Sequence, residues 1–425
     1  MQCRKMMSIA ITALAVFAVV VMPLDCARAA SKESVLHSFD YKDGSQPYAG
    51  LIFDKAGHLY GTTFYGGTYG SGTVFELIRG AHGQWSETVL HSFNNDGKDG
   101  TRPWSLIFDK TGNLYGTTQT GGASGSDCGG SGCGTVIELK QGAHGTWTEK
   151  VLHSFQSDGK DGNTPYAGLT IDKAGNLYGT TFLGGSGSSC GPGGCGTVFE
   201  LTPGARGKWT ERVLHNFHTN AEDGFRSWAG LIFDTAGNLY GSTAVGGSHG
   251  GFGIVFELTP GTHGKWSEKV LYSFNGKDGA YPLAGLILDT TGNLYGTTNG
   301  DNYSNFGNAF ELKPGAHGKW TEKVLHGFGD GMDGASPSSG GLIFDKAGNL
   351  YGTTPYGGTY AIGTVFELIR GAHGRWSETV LYSFSNGADG GGPYADLIFD
   401  KAGSLYSTTS GGGVNAFGTV FKLTP

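Results

Sequence analysis

One unit recurs seven times along this chain, and the last copy stops one segment short of the others. The string Trp-Ser/Thr-Glu-x-Val-Leu-His/Tyr-x-Phe begins at Trp85, Trp147, Trp209, Trp266, Trp320 and Trp376, with a degenerate copy at residues 31–39. Leu-Ile-Phe-Asp or a near variant begins at Leu51, Leu106, Leu169, Leu231, Leu286, Leu342 and Leu397. Leu-Tyr-Gly-Thr-Thr or a near variant begins at Leu59, Leu114, Leu177, Leu239, Leu294, Leu350 and Leu405. Gly-Thr-Val-Phe-Glu-Leu and its variants begin at Gly72, Gly134, Gly196, Gly253, Gly307, Gly363 and Gly418. Residues 31–425 therefore hold seven copies of about 56 residues, the scale of a propeller blade.

Each copy offers four short segments rich in Leu, Ile, Val, Phe, Tyr and Thr, separated by Gly, Asn and Asp turns, which read as β-strands. No helical period follows residue 30. A four-stranded blade has two apolar faces that only neighbouring blades can cover. A linear stack would need polar caps at its ends, and none is visible. The final copy stops after its third strand, and the missing fourth stands at residues 31–39. Pairing the two predicts an all-β, seven-bladed β-propeller of four antiparallel strands per blade, its N-terminal strand completing the last blade. Closure also removes the exposed end edges.

Composition narrows the function classes. With 79 Gly and 12% aromatic residues the chain is too glycine-rich for a helical protein and too aromatic for a disordered one. A net charge of -7 without a basic block speaks against nucleic acid or an anionic membrane as partner. Arg4 and Lys5, the apolar run from Ile9 to Met22 and Ala27-Arg28-Ala29-Ala30 read as a secretory signal peptide over residues 1–30, too short in its apolar part to span a bilayer. The expected mature chain is then residues 31–425, a single propeller, secreted or periplasmic, with no membrane span and monomeric. Cys128-Gly-Gly-Ser-Gly-Cys133 and Cys190-Gly-Pro-Gly-Gly-Cys195 read as two local disulfides of an oxidising compartment. The spacing is not that of a zinc site.

The unit Gly-Leu-Ile-Phe-Asp-Lys-Ala-Gly-Asn-Leu-Tyr-Gly-Thr-Thr, continued by Gly-Thr-Val-Phe-Glu-Leu and Leu-His-Ser-Phe, resembles the GloVer tandem repeat of choice-of-anchor, exported bacterial proteins. The resemblance spans the mature chain. More loosely, the blades are similar to those of NHL and SMP-30-type propellers. The first resemblance implies a bacterial surface or secreted location and no assigned chemistry. Members often end in a sorting anchor, whereas this sequence closes at Thr424-Pro425.

Site candidates are sought where copies diverge, in the loops between second and third strands. Just before the innermost strand stand Tyr48, Tyr166, Trp228 and Tyr394, with Trp104 one residue closer to its strand, and Leu283 and Ser339 replace them in the fifth and sixth blades. As ligand-binding residues they would stack against sugar or apolar faces. As structural residues they would plug gaps between blades, and repetition around a ring favours that reading. Histidine recurs by register at His37, His91, His153, His215 and His326 and in the Gly-Ala-His-Gly turns, so it reads as scaffold. Each inter-blade loop carries an Asp-Gly, with a second acid at Asp96, Asp158 and Asp330. These suit an Asp-initiated turn better than a calcium shell of six to eight oxygens. Neither a cofactor nor a metal is expected. The acids outside the register are Asp127, Glu222, Asp301 and Asp396, and Asp396, replacing the Gly beside the innermost strand, is the one candidate for catalysis. The leading expectation is a non-enzymatic binding or scaffold propeller whose variable loop face engages a glycan or an extracellular protein. The alternative is a secreted polysaccharide hydrolase or lyase using channel-mouth acids.

Overall fold

Each repeated string becomes a strand of its blade. In the first blade Ile52–Phe53, Leu59–Thr63, Thr73–Arg79 and Trp85–Ser92 pair consecutively and antiparallel. The same order holds to the sixth blade, Ile343–Phe344, Leu350–Thr354, Thr364–Arg370 and Trp376–Ser383. The seventh takes Ile398–Phe399, Leu405–Thr409 and Thr419–Thr424 from the C-terminus and Lys32–Ser38 from the N-terminus, paired from Lys32↔Thr424 to Ser38↔Thr419 with a bulge at Leu36. The protein is thus a seven-bladed β-propeller closed by its first strand, as the split copies predict. The computed structural model describes residues 31–425 apart from 124–127, 129, 188–189, 192, 221, 301–305, 330 and 339, and apart from the His144 side chain. The expected signal peptide, Asp127, Asp301, Asp330 and Ser339 lie outside the described residues.

Apolar side chains close the ring blade by blade. Seven core clusters are found among the described residues, each bridging two adjacent blades. The cluster of Phe39, Leu51, Leu59, Phe75, Leu77, Tyr406 and Val420 joins the seventh blade to the first. The Phe that ends each Leu-His/Tyr-x-Phe string is the wedge: Phe39, Phe155, Phe217, Phe274, Phe328 and Phe384 meet a third-strand Phe of the next blade edge-on, at 5.1–5.4 Å between ring centroids. Burying such a ring contributes about 1.5–3 kcal/mol. The Gly of Leu-Tyr-Gly-Thr-Thr leaves room for these rings: a Cβ on Gly179 would stand 2.6 Å from Phe199 Cζ.

The first Thr of that string has a second task, one that β-propensity alone does not reveal. Its hydroxyl donates to a carbonyl of the next blade, at or just before that blade's innermost strand. Thr62 reaches Trp104 O at 2.9 Å, Thr117 Ala167 O at 2.9 Å, Thr180 Ala229 O at 2.9 Å and Thr297 Pro337 O at 2.8 Å. Thr353 reaches Ala395 O at 3.1 Å, Thr408 Pro47 O at 2.9 Å, and Ser242 in the fourth blade reaches Pro282 O at 3.2 Å. These seven bonds, six of them buried, hold the segment lining the channel mouth. Thr180→Val keeps the shape and deletes one bond, so it is expected to cost about 1–2 kcal/mol in chemical denaturation, with the fold retained.

The connecting turns follow local chemistry. Asp109, Asp172, Asp234, Asp289 and Asp345 end the innermost strands, each accepting on Oδ1 the N–H of the Asn four residues on, at 2.8–2.9 Å. In the second to sixth blades the Gly-Ala-His-Gly turns and their variants tighten into single 3-10 turns such as Ala316–Gly318, a detail without a helical period to announce it. His263, His317 and His373 sit there at φ of 58–59°, a left-handed conformation that His tolerates better than β-branched residues.

Candidate functional site

The segment before the innermost strand bends at its Ala in blades one, three, four, five and seven, and buried residues alternate along it. In Tyr48-Ala49-Gly50-Leu51, Ala49 and Leu51 are buried between blades, which leaves Tyr48 and Gly50 for the channel. The same alternation runs through Tyr166-Ala167-Gly168-Leu169, Trp228-Ala229-Gly230-Leu231, Leu283-Ala284-Gly285-Leu286 and Tyr394-Ala395-Asp396-Leu397. Two layers result: an aromatic rim, and beneath it a ring of Gly50, Ser105, Gly168, Gly230, Gly285, Gly341 and Asp396. All seven blades line the central cavity of about 390 Å³ through the ring positions and the apolar residues that follow them, joined by Tyr48, Trp104, Trp228 and Leu283 of the rim.

The five rim residues that the register singles out come together and are all half-buried. Tyr394 meets Tyr48 edge-on at 5.4 Å, Tyr48 lies nearly parallel to Trp104 at 6.4 Å, Trp104 meets Tyr166 at 6.0 Å, and Tyr166 stacks on Trp228 at 4.1 Å. This is an arc across blades seven, one, two, three and four. It stops at Leu283. Three further rings widen it from the variable loops. Phe64 packs against Tyr48 and Trp104, Phe182 against Tyr166 and Trp228, and Tyr356 against Tyr394. They place the arc on the loop face of the ring. Sequence reasoning missed them because they open the loops where copies diverge; an aromatic directly after Thr-Thr at Phe64 and Phe182 was the available signal.

Polar groups are distributed along the arc. Tyr48 donates its hydroxyl to Gln46 Oε1 at 3.1 Å, and Gln119 Nε2 donates to the Tyr166 hydroxyl at 2.5 Å. The Tyr356 and Tyr394 hydroxyls are 2.7 Å apart. Arg102 lies over Phe64 and Tyr65, and Arg226 over Phe182, with 5.5–5.7 Å from guanidinium carbon to ring centroid. Burial raises the phenol pKa values of Tyr48, Tyr166 and Tyr394, so the rim carries neutral hydroxyls.

Asp396 stands in the second layer. It accepts the Gly341 N–H on Oδ1, and burial, the larger influence, raises its carboxyl above the ordinary aspartate value. Among the described residues it is the only Asp, Glu, Lys, Arg or His lining the cavity. The described channel lining therefore presents one acid, where glycoside hydrolysis by the usual route needs a pair about 5–9.5 Å apart. Glu222, the other described acid outside the register, is exposed in an inter-blade loop.

Family models of the Gloeobacter/Verrucomicrobia repeat match residues 21–190, 185–371 and 268–425. The chain belongs to the Gloeobacter/Verrucomicrobia repeat family. No curated protein matches it. Similar solved structures include a Thermus thermophilus protein described as an oxidoreductase (glucose dehydrogenase), 17% identical, covering 93% of this chain and 100% of that one at a TM-score of 0.43. A Xanthomonas campestris gluconolactonase is 12% identical over 92% of this chain and 89% of its own, with a TM-score of 0.43. A Dyadobacter fermentans protein of unknown function is 12% identical over 93% and 99%, with a TM-score of 0.46. At these values the named activities stay with those proteins.

The other recurring residues of this Gloeobacter/Verrucomicrobia repeat partner one another. The outer-strand His binds the Asp of the following Asp-Gly: His37 to Asp43 at 2.9 Å, His91 to Asp99 at 3.0 Å, His153 to Asp161 at 2.9 Å and His326 to Asp333 at 3.1 Å. Tyr272 and Tyr382 do the same with Asp278 and Asp389, at 2.6 and 3.2 Å. Asp96 and Asp158 accept N–H groups of their own loops at 2.9–3.1 Å, the geometry of an Asp-initiated turn. The Glu of Trp-Ser/Thr-Glu on the next blade leans against each pair, and burial followed by repulsion from the facing Asp pushes Glu87, Glu149, Glu211, Glu268 and Glu322 up to about 7. Glu33 behaves alike against Asp389. Cys128 and Cys133 are disulfide-bonded, as are Cys190 and Cys195, with Cα–Cα distances of 5.3 and 5.2 Å. No helix among the described residues is long and apolar enough to cross a membrane.

Proposed function

We propose that the chain is an exported carbohydrate-binding propeller that lays a glycan across the aromatic arc of its loop face. The observation that carries this reading is the arc itself: half-buried rings from five consecutive blades in mutual contact, open to the channel mouth. Sugar rings present C–H faces that stack on such surfaces, and their hydroxyls need the kind of polar groups that Gln46, Gln119 and the tyrosine hydroxyls supply. The two disulfides lie in the variable loops of the second and third blades and suit an oxidising compartment outside the cytoplasm. Binding is favoured over hydrolysis by the single acid in the channel lining. Tyr166 and Trp228 form the tightest pair of the arc, and removing a well-packed Trp or Tyr commonly costs 2 kcal/mol or more. On a glycan array the purified chain is expected to select a subset of glycans, and Tyr166→Ala/Trp228→Ala to lose them while melting cooperatively. An unchanged array profile would end the proposal.

A further inference from the structure

The seventh blade departs from the repeat twice at adjacent points of the channel wall. Asp396 stands where five sister blades have Gly50, Gly168, Gly230, Gly285 and Gly341, and Ser407 stands where the sister strands have Gly. The two departures are joined: Ser407 donates its hydroxyl to the Asp396 carbonyl at 2.8 Å and to Ala395 O at 3.3 Å. The Asp396 side chain occupies room left by neighbouring glycines. A Cβ on Gly341 would stand 3.1 Å from Oδ1, and one on Gly50 3.1 Å from the Asp396 Cβ. Oδ1 is spent on the Gly341 N–H, while Oδ2 has no hydrogen-bond partner among the described residues. This half-buried carboxyl lies two residues from Tyr394, in the cavity lining beneath the rim.

We propose that this well takes the protonated amine of an amino sugar, so that the glycan held by the arc is one bearing free amines. The inference rests on the proposed glycan binding and names its substrate class. A half-buried carboxyl in an otherwise uncharged lining is costly to ionise alone, and an incoming ammonium offsets that cost with a charge-assisted hydrogen bond to Oδ2. The faces of Tyr48, Trp104 and Trp228 at the entrance also attract a cation. An N-acetylated sugar brings only a neutral amide to the same place. The cavity, about 390 Å³, lies at the lower end of small-ligand sites, which fits the end of a chain entering while the rest stays on the arc.

The test compares glucosamine oligomers with N-acetylglucosamine oligomers of equal length by calorimetric titration at pH 6.5. The wild-type chain is expected to bind the free-amine series at least tenfold more tightly. Asp396→Gly, which restores the residue of the sister blades and so should fold, is expected to abolish the preference and leave the melting temperature near that of the wild type. Asp396→Asn should do likewise while keeping the side chain's volume. Equal binding of both series by the wild type, or a preference that survives in Asp396→Gly, overturns the proposal. If neither series binds but other glycans do, the amine proposal fails and the arc reading stands. If no glycan binds at all, both fail.

Discussion

A chain beginning at residue 40 is expected to lose cooperative melting, or to melt more than about 10 °C below the chain beginning at residue 31. The lost strand, Lys32–Ser38, pairs along the whole of Thr419–Thr424. Phe39, fully buried between the seventh and first blades, goes with it. Truncating one such Phe to Ala commonly costs 3–5 kcal/mol, against a total stability of about 5–15 kcal/mol for a domain. Deletion adds an unpaired strand edge and opens the ring at one interface. Calorimetry of the two purified chains reads the difference. A melt within 2 °C of the parent would show that closure contributes little to the fold.

Mild acidification is expected to raise stability. The carboxyls of Glu33, Glu87, Glu149, Glu211, Glu268 and Glu322 stand at about 7 in the folded chain, against about 4.5 when free. Between those values the folded chain holds protons that the unfolded chain has released. Stability therefore falls as pH rises through about 7 and is recovered as pH drops towards 4.5. Asp43 has the opposite sign: burial works against its charge, but hydrogen bonds from His37 and the Asp40 N–H outweigh it and hold its pKa below the ordinary value. Its contribution is lost only in stronger acid, so the optimum lies near pH 4.5–5. With on the order of 1 kcal/mol per cluster after solvent screening, the melting temperature should rise by on the order of 5 °C from pH 8 to pH 5. Combining Glu87→Gln, Glu149→Gln, Glu211→Gln and Glu268→Gln should raise the pH 8 value and flatten the profile. A wild-type melt that falls on going to pH 5 would contradict the assignment.

The blades were legible because each strand is spelled seven times, and a string repeated in register can only be read one way. The closing strand was legible because residues 31–39 match the one segment that the final copy lacks. Partnerships between copies were harder to read. The first Thr of Leu-Tyr-Gly-Thr-Thr looks like any β-former, and its carbonyl partner lies some 40–50 residues on in the next blade. Glu87 faces His37 and Asp43 from the neighbouring blade, so the sequence shows three recurring residues and not the cluster they form. At the site, Tyr48, Tyr166, Trp228 and Tyr394 could be placed by register, Trp104 one residue off it, and Asp396 by breaking it. Register could not say that the rings touch one another, because that depends on the ring's diameter and on the rotamer each side chain takes against its neighbour. Ser407 escaped notice for a related reason: a lone Gly-to-Ser change acquires meaning only beside Asp396.

We propose the arc, and not the mouth as a whole, as the binding surface. Its most direct measurement is the affinity of the best array glycan for three chains: the wild type, Trp228→Ala within the arc, and Leu283→Ala in the gap beside it. The arc predicts a loss of at least about tenfold for Trp228→Ala and less than about twofold for Leu283→Ala. Equal affinities across the three, or the larger loss at Leu283, would contradict it.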